Sequence, residues 1–248
     1  YLDRRHDAAL PDRQPMPRTE LNMIQRPIGP VAVFGASNFP LAFSTAGGDT
    51  AAALAAGCPV IVKAHGAHPG TSEIVAEAVL AAISKCNIHA GVFSLIQGGD
   101  SCEVGAQLVQ HPLVKAVGFT GSHLGGRALF DLCAARPEPI PFFGELGSIN
   151  PMFIFAGAMA NRGSTIAEGW AGSLTMGAGQ FCTNPGVVVV LEGGDAEQFS
   201  QTANDALTKT PAQTMLTDGI ASAYRAGQER MAEISDVYQV MSSAFEQR

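Results

Sequence analysis

The sequence predicts an α/β protein in which a parallel β-sheet is covered by helices on both faces. Three observations support this prediction. Short apolar runs alternate with helical segments between residues 31 and 135. The predicted strands are continuous apolar runs, which is typical of parallel strands buried on both faces. The spacing of strands and helices indicates βαβ units with right-handed crossovers, and therefore a doubly wound sheet.

The strands and helices of this sheet follow one another in strict alternation. Ser72–Lys85 carries the clearest helical signal, because its apolar residues recur with the period of a helix. The predicted elements, in chain order, are strand Val31–Phe34, helix Thr45–Ala56, strand Val60–Lys63, helix Ser72–Lys85, strand Val92–Ile96, helix Glu103–Gln110, strand Ala116–Phe119 and helix Leu124–Ala135. They predict a Rossmann-like, doubly wound domain over residues 31–146.

The segments on either side of this domain have a different character. Residues 1–30 contain five prolines, which predicts an extended connector with one edge strand near Leu21–Gln25. Glycines interrupt Phe143–Gly147, to which no strand or helix is assigned. The elements predicted beyond it are strands Asn150–Phe155 and Val187–Leu191, helices Ile166–Met176, Ala196–Thr208 and Ile220–Ile234, and a glycine-rich loop over Gly177–Gly186. We therefore expect a second α/β domain over residues 147–248.

The composition of the chain excludes several classes of protein. Its 248 residues are 46% hydrophobic and only 15% charged, so a disordered chain is excluded. A formal net charge of −7 argues against a nucleic-acid partner. No apolar run approaches the roughly 18–20 residues of a membrane span. The five cysteines are widely spaced and form no C-x-x-C pair, so we expect reduced thiols in a cytoplasmic protein without a metal site.

Two segments match familiar motifs only in part. Gly121–Arg127 has the glycine spacing of a phosphate-binding loop but lacks the Lys and Ser/Thr that hold phosphate and magnesium. Gly35–Phe39 fails the serine nucleophile elbow at its last position.

Three separated segments remain that are rich in reactive side chains. They are Gly35–Pro40, Gly144–Gly147 and Gly179–Gly186, and they contain Asn38, Glu145 and Cys182. Each residue has an ordinary alternative when taken alone: Asn38 as a turn residue, Glu145 as a paired structural carboxylate, and Cys182 as an inert buried thiol.

Taken together with Phe119–Ser122, these segments resemble the NAD(P)-dependent aldehyde dehydrogenases. The resemblance extends from about Arg26 to Leu191, with the motifs in the family's order and 37 residues from Glu145 to Cys182. Further details resemble the branch that includes the 2,5-dioxopentanoate (α-ketoglutaric semialdehyde) dehydrogenases. These details are in Ser37–Ser44, Ala64–Pro69, Gly144–Pro151 and Gln213–Gly219.

The resemblance implies a role for each of the three reactive residues. Cys182 attacks the aldehyde to give a thiohemiacetal, since a thiolate is a strong nucleophile. The Asn38 amide and the Cys182 backbone N–H stabilise the oxyanion. After hydride transfer leaves a thioester, Glu145 activates water, and an apolar wall beside this carboxylate is expected to raise its pKa toward neutrality.

The resemblance also implies a nicotinamide cofactor, with residues 31–146 as the dinucleotide-binding domain and residues 147–248 as the catalytic domain. Lys63 contacts the adenosine ribose, and the remaining contacts come from Phe34, Gly35, Gly121, Ser122, Gly126 and Leu146. Ser122 opens the helix that faces the pyrophosphate, and Gly126 permits close packing. NAD-preferring relatives carry a Glu at the position of Gly66, so we expect NADP use, with NAD as a possible second cofactor.

Family members are longer than this chain, so we expect it to be a piece of a larger protein that is inactive alone. The complete enzyme is expected to be a homo-oligomer acting on a small aldehyde, without a membrane or nucleic-acid partner. Three alternatives stay open at this point: a silent nucleotide-binding fragment, a dehydrogenase for another semialdehyde or a fatty aldehyde, and a cofactor-free thiol hydrolase that uses Cys182 and Glu145.

Overall fold

The computed structural model describes residues 4–98 and 102–241. It divides into two compact units, one ending at Leu146 and one beginning at Gly147. Residues 1–3 of the predicted connector and residues 242–248 of the predicted catalytic domain lie outside the described residues. The cofactor-binding role of the first unit and the catalytic role of the second stay predictions.

A small antiparallel pair of strands precedes the main sheet. β1 (Arg5–Asp7) pairs with β2 (Leu21–Met23), with Arg5 opposite Met23. The edge strand expected near Leu21–Gln25 is therefore present, but its partner was not predicted. Because most residues of this pair are exposed, neither strand carries the apolar alternation that marks a half-buried strand.

Five parallel strands form the sheet of the first unit, in the order β5-β4-β3-β6-β7. The elements are β3 (Val31–Phe34), α1 (Gly48–Ala55), β4 (Val60–Lys63), α2 (Pro69–Lys85), a 3-10 turn (Ala90–Val92), β5 (Phe93–Ile96), α3 (Glu103–Gln110), β6 (Ala116–Gly121), α4 (His123–Ala134) and β7 (Phe142–Leu146). The predicted fold class is confirmed. This strand order is that of a Rossmann-type half, with its topological switch point between β3 and β6.

The two faces of this sheet explain why its strands are continuous apolar runs. All four residues of β3 are buried. Val31 and Val33 join the core that includes residues of α2, whereas Ala32 and Phe34 join the core that includes residues of α3 and α4. Since both faces are covered, every residue of a central strand has to be apolar or small.

β7 was not predicted, because Phe143–Gly147 was recognised only as a stretch interrupted by glycines. Its register places Thr120 of β6 opposite Glu145. A strand containing Gly and Glu has low β-propensity, but pairing with β6 overrides that preference at the edge of the sheet. The helix bounds of α1, α2 and α4 differ from the predicted ones by one to three residues, as is usual for helix ends.

The second unit is built around a two-stranded parallel sheet. Its elements are β8 (Met152–Ile154), α5 (Ala156–Thr175), a 3-10 turn (Met176–Gly179), β9 (Val188–Val190), α6 (Gly194–Thr208) and α7 (Asp218–Ala232). Ile154, Ala167 and Phe199 belong to one buried core beneath this sheet.

α5 begins ten residues before the predicted Ile166. Its first turns consist of small and polar residues without an apolar stripe, and the backbone leaves helical geometry at Arg162. Only the part beyond this bend carries a helical pattern that the sequence reveals. Among the described residues, no helix combines the length and the apolar character needed to cross a bilayer.

Candidate active site

The carboxyl ends of three neighbouring strands define one edge of the main sheet. The register aligns Phe34 at the end of β3 with Lys63 on β4 and with Phe119 on β6. Gly35 follows β3 directly, and Gly121 is the last residue of β6. In open α/β sheets, ligands bind at this edge, beside the switch point of the strand order.

The start of α4 has the geometry expected beside a pyrophosphate. Ser122 is the N-cap, and its side chain accepts a hydrogen bond from the Gly125 N–H. A Cβ atom added to Gly126 would clash with Leu146 Cδ2 and lie 2.9 Å from Phe119 Cε1, so glycine lets α4 pack on β7 without displacing these side chains. A helix N-terminus held at the switch point fits the phosphates of a dinucleotide.

The loop after β4 is tied to the loop after β3. His68 Nε2 donates to the Ala36 carbonyl oxygen at 2.9 Å, and His68 Nδ1 lies 3.2 Å from Ser72 Oγ. The rings of His65 and His68 stack at 5.5 Å. Burial lowers the pKa of His65, and the nearby His68 and Lys63 lower it further. Lys63, the last residue of β4, directly precedes this loop.

Glu145 is exposed on β7, whereas the sequence argument placed it against an apolar wall. A second carboxylate lies on the same face of the sheet. Gly118 and Thr120 share that face, Thr120 is opposite Glu145, and the Asp49 carboxyl lies 3.1 Å from the position of a Cβ on Gly118. Partial burial raises the pKa of Asp49, and the charge of Glu145 raises it further.

Asn38 is half-buried in the loop that follows β3. It belongs to the first unit together with Glu145, whereas Cys182 belongs to the second. The roles expected for these three residues in one site stay predictions.

Cys182 is exposed on the loop between the 3-10 turn and β9. Asn184 N–H donates to the Phe181 carbonyl at 3.0 Å, which closes a turn around Cys182. The Cys182 carbonyl accepts hydrogen bonds from the Ser148 hydroxyl and, at 2.7 Å, from Asn150 Nδ2. The turn that contains Cys182 is thus held by side chains from the segment before β8.

Sequence reasoning assigned no role to Ser148, Asn150 or Asp49. The first two lie inside the quoted segment Gly144–Pro151, but their partner is more than 30 residues away and no local spacing reveals it. Asp49 gave a weak signal, as the one acid in a stretch of small residues from Ser44 to Ala56.

The first unit is a doubly wound sheet with the kind of carboxyl edge at which dinucleotides bind. The second unit exposes a cysteine on a glycine-rich loop. Together these features are typical of nicotinamide-dependent oxidoreductases with a thiol nucleophile. Residues 2–234 match the model of the aldehyde dehydrogenase family. The chain belongs to this family, which confirms the resemblance.

Two curated relatives refine the comparison. The chain is 56% identical over 234 residues to alpha-ketoglutaric semialdehyde dehydrogenase 2 of Azospirillum brasilense, a match that covers 94% of this chain and 44% of that protein. It is 49% identical over 227 residues to the alpha-ketoglutaric semialdehyde dehydrogenase of Acinetobacter baylyi, covering 92% and 43%. The chain therefore spans less than half the length of these relatives.

A solved structure with the same fold is an NAD-dependent benzaldehyde dehydrogenase from Corynebacterium glutamicum. It superimposes with a TM-score of 0.70 at 23% identity, covering 92% of this chain and 48% of that one. At this identity, the likeness extends to the fold alone.

Proposed function

We propose that this chain forms the cofactor-binding and nucleophile-bearing part of an enzyme that oxidises 2,5-dioxopentanoate to 2-oxoglutarate. The observation that carries the proposal is the exposed, hydrogen-bonded Cys182 loop in a chain 56% identical to an alpha-ketoglutaric semialdehyde dehydrogenase. Exposure leaves the sulfur open to an aldehyde, and a thiolate is reactive even when a small fraction of the thiol is ionised.

In the proposed reaction, the Cys182 sulfur adds to the aldehyde carbon and forms a thiohemiacetal. The side-chain amide of Asn38 and the backbone N–H of Cys182 donate hydrogen bonds to the oxyanion, and each such donor is typically worth about 3–4 kcal/mol. A bound nicotinamide cofactor supplies the hydride acceptor. Glu145 then takes a proton from the water that attacks the thioester, which releases the acid and frees Cys182.

We further propose NADP as the preferred cofactor, held by Phe34, Gly35, Lys63, Gly121, Ser122, Gly126 and Leu146. The position of Gly66 bears no carboxylate to repel a 2′-phosphate, and Lys63 adds positive charge at the end of β4, three residues earlier. The ratio of kcat/KM for NADP and NAD measures this preference. A tenfold preference for NAD would contradict it.

The function is tested by aldehyde-dependent NADPH formation with the complete enzyme that contains this chain, as wild type and as two cysteine variants. We expect 2,5-dioxopentanoate to be turned over with a kcat/KM at least tenfold above that of hexanal. Cys182→Ala removes the nucleophile and should lower kcat by roughly a thousandfold or more. Cys86→Ala is the matched control, because Cys86 is also exposed and should leave the rate within twofold.

Three results would contradict the proposal. Oxidation that survives in Cys182→Ala would remove the assigned nucleophile. A faster reaction with hexanal would favour the fatty-aldehyde alternative. Binding of NADPH without oxidation of either aldehyde would leave the chain as a silent nucleotide-binding fragment.

A further inference from the structure

The backbone carbonyl of Cys182 is oriented by the turn in which the residue lies. Phe181 and Asn184 are the first and last residues of that turn, joined by the 3.0 Å hydrogen bond from the Asn184 N–H to the Phe181 carbonyl. Cys182 is the second residue, so its carbonyl takes no part in closing the turn. This peptide therefore requires contacts from outside the turn to fix its orientation.

The segment before β8 supplies those contacts. The Ser148 hydroxyl donates to the Cys182 carbonyl, and Asn150 Nδ2 lies 2.7 Å from the same oxygen and 3.0 Å from the Asn184 carbonyl. The backbone continues this attachment, since Gly186 N–H donates to the Ile149 carbonyl at 2.9 Å. Two side chains and one backbone group thus hold the turn against a single short segment.

The conformation of Asn150 adds to this arrangement. Its φ is +48°, in the left-handed region that few non-glycine residues adopt, although asparagine tolerates it better than most. The same amide also lies 3.2 Å from Ser148 Oγ. The two side chains therefore support each other as well as the Cys182 carbonyl.

We propose that Ser148 and Asn150 are positioning residues that hold the backbone of Cys182 and so place the Cα from which its sulfur and its backbone N–H project. Holding the carbonyl oxygen fixes the rotation about the Cα–C bond of Cys182, and with it the position of the Cα from which both groups project. Oxyanion donors act through preorganisation, and a misplacement of about 1 Å can cost roughly a hundredfold in rate. The inference rests on the proposed function, because it assigns these residues to the attack by Cys182.

Other contacts hold the loop farther from the sulfur. Asn184 Nδ2 donates to the Leu174 carbonyl at 2.7 Å, and Gln213 bridges the Thr175 carbonyl and the Ala178 N–H at 3.0 and 2.9 Å. These bonds explain why the loop should keep its path when Ser148 or Asn150 is changed. The loss is then confined to the Cys182 peptide.

The test compares Ser148→Ala, Asn150→Asp and the conservative Ser148→Thr, with Asn161→Ala as control. Asn161 Nδ2 donates to the Gly157 carbonyl at 2.7 Å within α5, so Asn161→Ala removes a hydrogen bond outside the turn. Two readouts are used: kcat and KM for aldehyde oxidation, and amide hydrogen exchange in the peptide covering residues 177–186. The exchange measurement is independent of any activity.

We expect Ser148→Ala and Asn150→Asp to lower kcat roughly 10- to 100-fold. KM for the cofactor should stay within twofold, because cofactor contacts are assigned to the first unit. Exchange in residues 177–186 should become faster in both variants. Ser148→Thr retains the hydroxyl and should restore kcat to within about threefold of wild type, a rescue that a loss of global stability does not produce.

The outcomes separate the inference from the function on which it rests. If wild type oxidises aldehydes but the variants keep kcat within twofold and exchange at wild-type rates, the positioning role is overturned and the function stands. If wild type shows no oxidation, the function fails, and unchanged exchange in the variants would overturn the contact itself. Should Asn150→Asp fail to fold, the Ser148→Ala and Ser148→Thr pair decides.

Discussion

The sheets of the two units are covered to different extents. In the first unit, helices pack on both faces, and Val31, Val33, Ala32 and Phe34 of one strand are all buried. In the second, Ile154 lies in the core beneath the β8–β9 pair, while Phe153 and Val189 point to the other face and are exposed.

The two units therefore hold their candidate functional residues in different ways. The candidate cofactor residues of the first unit lie at the ends of strands and at a helix start, so the buried sheet fixes them. Cys182 lies on a loop, and its position depends on side-chain hydrogen bonds from Ser148 and Asn150. The candidate cofactor residues are thus held by apolar packing, and the Cys182 loop is held by polar contacts.

The largest effect expected from this comparison is on stability. Phe93 is 2% exposed in the core of the first unit, so Phe93→Ala should lower the free energy of unfolding by about 3–5 kcal/mol. Phe153→Ala makes the same change at a side chain that is 62% exposed, and should stay within about 0.5 kcal/mol of wild type. Urea unfolding followed by far-UV circular dichroism measures both.

Similar losses for the two phenylalanine variants would break the comparison, because they would show that the outer face of the β8–β9 pair is covered as well. The single tryptophan, Trp170, lies in the second unit and packs against Phe199. Its fluorescence therefore reports the unfolding of that unit separately from the whole-chain signal.

A smaller effect is expected on cofactor choice. A Cβ on Gly66 would meet no atom within 4 Å, so Gly66→Glu introduces a carboxylate without steric cost. Repulsion of a 2′-phosphate should move the NADP-to-NAD ratio of kcat/KM toward NAD by at least tenfold, or about 1.4 kcal/mol. Gly66→Gln has the same shape without the charge and should produce less than half of this shift in free energy.

The Gly66 variants also test whether cofactor choice and thiol reactivity depend on different units. The alkylation rate of Cys182 by iodoacetamide should be the same in wild type, Gly66→Glu and Gly66→Gln, because the nucleophile belongs to the second unit. An unchanged cofactor ratio in Gly66→Glu would contradict the assignment of this loop to the ribose.

The same contrast determines how much could be predicted from the sequence. Strands β3 and β4 were predicted with their observed bounds, because burial on both faces makes all of β3 and the first three residues of β4 apolar. β7 was missed because an exposed edge strand can contain Gly and Glu, and the first half of α5 was missed because it precedes the bend at Arg162.

The residues of the candidate site also fall into those that the sequence indicates and those that it does not. Asn38, Glu145 and Cys182 were found because each lies in a short motif whose order along the chain is informative. Ser148 and Asn150 were not given roles, since their contacts with Cys182 join residues 34 and 32 positions apart. Local patterns carry no signal for hydrogen bonds at that separation.

The smallest expected effect concerns the paired carboxylates of the first unit. Asp49 has a pKa raised by partial burial and then by the charge of Glu145, so the folded chain holds this proton more tightly than the unfolded chain does. Stability from this group is therefore present below the ordinary pKa of 3.8 and is lost as pH rises through the raised value. Asp49→Asn should stabilise the chain at pH 7.5 and have little effect near pH 4.

Much of Asp49 stays exposed to water, so solvent screening limits the gain to a few tenths of a kcal/mol. Asp131→Asn is the control, because Asp131 forms an exposed ion pair with Arg127 and its loss should bring no gain at either pH. Urea midpoints at pH 4 and pH 7.5 measure both variants. An equal gain in stability from Asp49→Asn at the two pH values would show that the effect comes from packing against Gly118 and not from charge. A loss of stability at pH 7.5 would show that the Asp49 carboxylate stabilises the edge of the sheet on which Glu145 lies.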